Sequence, residues 1–172
     1  MAAGVTFSPI ASYTFASAAA NYTFTSIPQT YTDLVLVINV IAGANANYLY
    51  IQYNGDTNTN YSTTVLTGTG TSAISNRWAN RTNFNIDYYA TPATTPGQRT
   101  IHIMNYANST TYKTAISRAD RASGTSYSGT AGTDAIVGLW RSTSAITSIK
   151  ITCDNDNFSS GTTMSLYGIA SA

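Results

Sequence analysis

Apolar and polar residues alternate with a period of two in short segments from residue 12 to residue 169, and Gly, Pro, Asn and Ser clusters interrupt them throughout. Only a pleated strand sends successive side chains to opposite faces, so this pattern predicts many short strands, each packed by one face. The strongest is residues 34–41, where Leu34, Leu36, Ile38 and Val40 share one face and Val35, Val37 and Ile41 load the other. Being apolar on both sides, it is expected to be central and covered twice. Earlier candidates are residues 12–16 and 22–27. Residues 48–53 follow, with Leu49, Ile51 and Tyr53 opposite Tyr48, Tyr50 and Gln52, and then Asn54-Gly55 supplies a hairpin turn.

Further along, residues 61–66 read as a weaker strand, and residues 68–75 as a loop long enough for one helical turn before Trp78. Phe84, Ile86 and Tyr88 alternate up to a loop at 92–97. Residues 99–107 place Ile101 and Ile103 inward and His102, Met104 and Tyr106 opposite, and residues 112–117 are their hairpin partner through Asn108 and Ser109. The Ser-, Gly- and Thr-rich residues 122–132 read as a mobile surface loop. Strands at 134–141, 146–153 and 163–169 close the chain.

Composition agrees with the pattern. The chain has seven acidic residues, all of them Asp, and Lys occurs only at Lys113 and Lys150. Surface helices rely on Glu and Lys as helix formers and i,i+4 partners, so their scarcity argues against helices. A chain of 172 residues can bury roughly 70% of its extended surface without metal or disulfide staples. The expected fold is all-β: a two-sheet antiparallel jelly-roll-like sandwich of about ten or eleven strands. Residues 21–172 form its single domain, and residues 1–20 an N-terminal arm or edge strand.

Several function classes lose ground on chemistry. A net charge of +1 gives no footprint for nucleic acid. No apolar run approaches the length of a membrane span, and no signal peptide is visible, so synthesis in the cytoplasm is expected. The lone Cys153, in phase with Ile149 and Ile151, reads as a buried small hydrophobe. General acid–base catalysis draws on His or paired carboxylates. Here the single His102 sits on a strand face and no Gly-x-Ser-x-Gly elbow occurs, so no enzyme and no catalytic residue is expected. Oxygen side chains bunch at residues 54–60, around Asp56, and in Asp154-Asn155-Asp156-Asn157 as Ca²⁺ prefers, but ordinary turns use the same residues and neither run matches an EF-hand. No cofactor is expected. Thirteen Tyr and two Trp could stack on sugars. Spread over alternating positions such as Tyr48, Tyr50, Tyr53, Tyr88, Tyr89, Tyr106 and Tyr112, they read first as cross-strand pairs and protein-contact residues.

Several segments together resemble a group of bacteriophage virion proteins. They are Phe24-Thr25-Ser26-Ile27-Pro28 with Tyr31-Thr32-Asp33-Leu34-Val35-Leu36-Val37, the hairpin Asn54-Gly55-Asp56-Thr57 with Asn60-Tyr61-Ser62, and Asn105-Tyr106 with Tyr112-Lys113-Thr114. Trp140-Arg141-Ser142-Thr143 with Ala145-Ile146-Thr147-Ser148-Ile149 and the closing Ser165-Leu166-Tyr167-Gly168-Ile169 complete the likeness. The resemblance implies a jelly-roll virion component on the outer capsid surface: a decoration (cement) protein that binds the major capsid protein and groups as a homotrimer. The alternative it implies is a tail-fibre or spike module binding a host glycan or protein. About twenty residues before the resembling region leave no room for a fibre shaft, which favours decoration. Val5, Phe7, Pro9 and Ile10 are the expected partner-contact residues, on an arm or edge strand.

Overall fold

The computed structural model describes residues 6–43, 48–88, 96–121 and 132–170. Among these residues there is no helix, and twelve strands make two antiparallel sheets of a jelly-roll-like sandwich. The strands are β1 (Phe7–Thr14), β2 (Asn21–Phe24), β3 (Asp33–Val40), β4 (Leu49–Tyr53), β5 (Tyr61–Gly68) and β6 (Ala73–Arg81). They continue with β7 (Phe84–Asn85), β8 (Gly97–Met104), β9 (Lys113–Arg121), β10 (Gly132–Trp140), β11 (Ile149–Cys153) and β12 (Thr163–Ile169). The larger sheet has eight strands in the order β1-β12-β3-β8-β9-β10-β5-β6, and the smaller has four in the order β2-β11-β4-β7.

The core lies between the sheets and follows the period of two. The larger sheet sends in Leu34, Leu36, Ile38, Ile101, Ile103, Ala115, Met164 and Leu166, and the smaller answers with Phe24, Leu49, Ile51, Ile149, Ile151 and Cys153, all buried. At one end an aromatic group closes the sandwich: Trp140 stacks on Tyr61 with centroids 6.2 Å apart, and Tyr53 and Phe84 pack beside them. Two glycines make room for rings. Phe84 rests on Gly138 and Tyr31 on Gly168, so closely that a Cβ at either position would fall inside the ring.

The structure corrects four readings of the sequence. The predicted loop at 68–75 is only the turn from Thr69 to Ser72, tied by the Ser72 amide donating to Thr69 Oγ1 at 3.2 Å, and β6 begins at Ala73. Six consecutive residues that lean inward no more than halfway carry too little apolar signal to announce that strand. Second, Tyr106 does not share the outer face with His102. Asn105 adopts φ 52° and ends β8, which swings Tyr106 into the core, where its hydroxyl donates to the Pro28 carbonyl. Third, β3 is not covered twice: among the described residues no layer lies over its outer face, and Val35 is buried within its own sheet between Tyr167 and His102. Fourth, β2 stops at Phe24 and β11 starts only at Ile149, while Ile27 and Ile146 enter the core from non-strand backbone.

Candidate functional site

Alternation fixes the second face of the eight-stranded sheet as firmly as the first, and that outward face is unusually apolar. Across the sheet in register run Pro9, Tyr167, Val35, His102, Ile116, Val137 and Thr64, one residue per strand from β1 to β5. The neighbouring row is Ser165, Val37, Thr100, Arg118, Ala135 and Leu66. An antiparallel sheet with one solvated face ordinarily shows polar residues there. Here Leu66 is 55% exposed, Val137 49% and Ile116 45%, and Arg118 is the only charged side chain of the two rows between β1 and β5.

The face is corrugated. Arg118 on β9 borders two depressions, and Ile116 borders the first of them. One is lined by Thr100, His102 and Met104; the other is lined by Leu66, Gly68, Ala73, Thr133 and Ala135 and has a volume of about 330 Å³. A third depression sits between β1 and β12 beside Pro9 and Tyr167. None encloses a recessed cavity of the kind that shelters a small substrate. His102 has Val35 and Ile116 as its register neighbours, so its own row offers it neither a nucleophile nor an orienting carboxylate.

The expected contact residues divide at a bulge. Phe7, 48% exposed, and Pro9 lie on the outward face, paired with Ile169 and Tyr167. The register breaks between Pro9 and Ala11, and Ile10 in that break packs against the core instead. Val5, Tyr89 and most of the 92–97 and 122–132 loops lie outside the described residues.

The oxygen-rich turns hold their own backbone. Asp56 accepts from the Asn58 amide at 2.9 Å, Asn58 Nδ2 at 2.8 Å, Asn60 Nδ2 at 2.9 Å and Trp140 Nε1 at 2.7 Å. Four N–H donors converging on one carboxylate bind it as an anion and turn four positive ends toward any cation that would approach. Partial desolvation pushes the Asp56 pKa up, but the hydrogen bonds outweigh it and bring it down to about 2. The stabilisation is therefore present above the unfolded-chain value near 4 and is lost as pH falls from about 4 to 2. Because Asp56 is only partly buried, its share is about 1 kcal/mol after screening. Asp56→Ala is expected to lower the urea midpoint at pH 6 and leave it almost unchanged at pH 2; an equal loss at both would show that the hydrogen bonds carry no weight. In the second turn, Asp154 accepts from the Tyr50 hydroxyl, and Asp156 accepts from the Asn157 amide at 2.8 Å.

Inside the sandwich sits a charged group that the sequence reading did not single out. Arg99 Nε and Nη2 both reach Asp87 Oδ2 at 3.0 Å, with both side chains sealed from solvent. The Leu49 amide donates to Asp87 Oδ1 at 2.8 Å, and Arg99 Nη1 donates to the Asp120 carbonyl at 2.7 Å. Burial pushes the Asp87 carboxyl up, and the Arg99 guanidinium opposes that shift. Nearby, Asp134 accepts from Thr67 Oγ1 at 2.8 Å and the Tyr88 amide at 2.9 Å. Lys113 Nζ donates to the Thr111 carbonyl at 2.7 Å and the Thr143 carbonyl at 3.1 Å, and desolvation pulls its pKa down. The signal was present: Arg99, Lys113 and Asp134 each stand in phase with inward residues of their strands, where a charge has to be paired or hydrogen-bonded. Asp87 and Arg99 tie the two sheets together, through the Leu49 amide of the smaller sheet and the guanidinium of the larger.

Tyrosines divide between packing and surface. Tyr53, Tyr61 and Tyr106 are core residues, and Tyr13 stacks on Tyr22 at 3.9 Å. Tyr48 and Tyr50 stand 6.2 Å apart beside the outer face of the smaller sheet, and their rings are tilted by 38° rather than presenting one flat platform.

No protein-family profile matches the chain, and no curated protein matches it. Among solved structures, an exo-inulinase from Aspergillus awamori is similar over 95% of this chain at 14% identity, with a TM-score of 0.37. The chain spans 29% of that enzyme's length. A likeness this distant carries no argument about activity.

Proposed function

We propose that the chain is a bacteriophage capsid decoration (cement) protein that lays the outward face of its eight-stranded sheet on the shell of the major capsid protein. The observation that carries this reading is the apolar row from Pro9 to Val137 with the neighbouring row that ends at Leu66, solvent-facing at Ile116, Val137 and Leu66. Exposed apolar patches beyond a few hundred Å² mark interaction sites in soluble proteins. At about 4.8 Å per strand and 3.4 Å per residue, eight strands of seven to nine residues present roughly 1,000 Å², above the ~800 Å² each partner contributes to a standard interface. Low charge suits this role, since few ions have to be stripped of water when the face is covered. Phe7 and Pro9 extend the same face to the β1 edge, which supports their part in the contact. The role is one of binding rather than catalysis. Stabilisation follows mass action, because a protein that binds the assembled shell and not its free subunits favours the shell by its binding free energy.

The test is to image virions and to add purified protein to undecorated capsids. Density for this sandwich over the capsid surface is expected, outward face down. Ile116→Glu combined with Leu66→Glu changes two exposed positions that are not cross-strand partners and is expected to leave folding within about 0.5 kcal/mol per site. It should weaken capsid binding at least tenfold. Finding the chain only at the tail tip, or undiminished capsid binding by the double variant, would overturn the reading.

A further inference from the structure

The two edges of the eight-stranded sheet are built differently. On β1, Pro9 lacks an N–H and a bulge breaks the register between Pro9 and Ala11. Both devices discourage the addition of another strand. Over residues 73–78 β6 has neither: it contains no Pro and no Lys, and its register with β5 is regular. The irregularity comes only after Trp78, where Asn80 adopts φ 54°. Among the described residues no strand lies on the far side of β6, and all six residues are exposed or half-buried. Such an edge offers a row of backbone N–H and C=O groups to another chain.

We propose that β6 pairs antiparallel with β6 of a second copy, across a two-fold axis passing through Asn76, so that two eight-stranded sheets become one. Self-complementarity selects both the partner and the register. A two-fold at Asn76 sets Ile74 opposite Trp78 of the other copy, Ser75 opposite Arg77, and Asn76 opposite Asn76, with each pair on one face of the sheet. Ile74 and Trp78 therefore meet across the axis, each Asn76 side chain stays on the Tyr88 hydroxyl of its own copy, and no like charges face each other. Moving the axis by one residue to Ser75 would pair Ile74 with Asn76 and leave Trp78 outside the regular segment. Moving it to Arg77 would put the two arginines opposite each other. The net charge of +1 adds little repulsion between copies.

An axis that pairs edges antiparallel is perpendicular to the sheet, so both outward faces point the same way. The pair then presents one surface of sixteen strands, twice the eight of one copy and about 75 Å wide. It would engage a shell at two points, and the second engagement would be intramolecular. That consequence rests on the capsid reading; the pairing itself does not. The closed two-fold pair stands in place of the trimer that the resemblance implies.

The purified chain tests the pairing without any virion. A short edge interface belongs to the weak, transient class, so sedimentation velocity should show a monomer–dimer equilibrium centred at roughly 100 µM. Ser75→Arg sets two pairs of arginines opposite across the axis and should weaken dimerisation about tenfold. Adding Arg77→Asp converts both repulsions to attractions and should restore the dimer. Independently, Asn76→Cys places a thiol on the axis, and mild oxidation should link two copies while the buried Cys153 stays out of reach. A strict monomer at about 500 µM, a trimer, a dimer indifferent to Ser75→Arg, or an Asn76→Cys variant that fails to cross-link would each overturn the proposal.

Discussion

Replacing Asp87 by alanine is expected to cost about 3–5 kcal/mol, a large share of the 5–15 kcal/mol by which a domain of this kind is stable. The substitution leaves the Arg99 guanidinium sealed in the sandwich without its carboxylate, and it strands the Leu49 amide that Asp87 Oδ1 satisfied. Since Leu49 belongs to the smaller sheet and Arg99 to the larger, the change loosens the sheets from each other. Removing both charges is a different matter. Asp87→Leu combined with Arg99→Met exchanges a desolvated pair for apolar volume and is expected to lie within about 2 kcal/mol of the parent, on either side. Urea unfolding at neutral pH would read both variants, with an unchanged slope marking a pure stability effect. A loss below about 1 kcal/mol for the single change would show that water reaches the pair.

Gly138→Ala is the second severe change. A Cβ at that position falls 2.4 Å from Phe84 Cδ2, so the ring has to move, and the ring is held by Tyr53 and Tyr61. Forcing a methyl group into a filled core costs about 1–3 kcal/mol, and the upper end applies here because the obstruction is a packed ring rather than a flexible tip. A double-mutant cycle separates this contact from any other cost. In a Phe84→Leu background, the penalty of Gly138→Ala should shrink by at least 1 kcal/mol, the coupling expected of residues in direct contact. Equal penalties in both backgrounds would mean that the ring is not the obstacle.

How much of this was legible beforehand depends on which physical effect governed each residue. Strands such as β3, β4 and β12 follow from the period of two because burial on one face is a local instruction repeated every second residue. β6 was missed because an edge strand over the rim of the core needs few apolar side chains, and Ile74 and Trp78 alone are too sparse a pattern. Tyr106 was misplaced because a single left-handed residue, Asn105, reverses the alternation, and Asn adopts that conformation without announcing it in sequence. The outward apolar row is partly written in the alternation, as Val35, Val37 and Ile116 show. Its continuity across strands depends on register between segments up to some 160 residues apart, which one sequence does not state. Phe7 and Pro9 were expected at a contact, but the bulge that separates them from Ile10 is a tertiary event.

The strand order also determines when each part of the sheet can exist. β12, made after every other strand of its sheet, lies between β3 and β1, and Phe7 is in register with Ile169. During synthesis β1 thus has no hydrogen-bonding neighbour in this sheet until the ribosome has delivered β12. The β8-β9 and β9-β10 hairpins and the β5-β6 hairpin can form from local contacts as they emerge, whereas the β1 edge must wait. Closure of this kind is dominated by distant pairings, which places folding in the slow, millisecond-to-second range of β-sandwiches. Until it is complete, the edge that carries Phe7 and Pro9 does not exist, so an unfinished chain cannot present that end of the outward face.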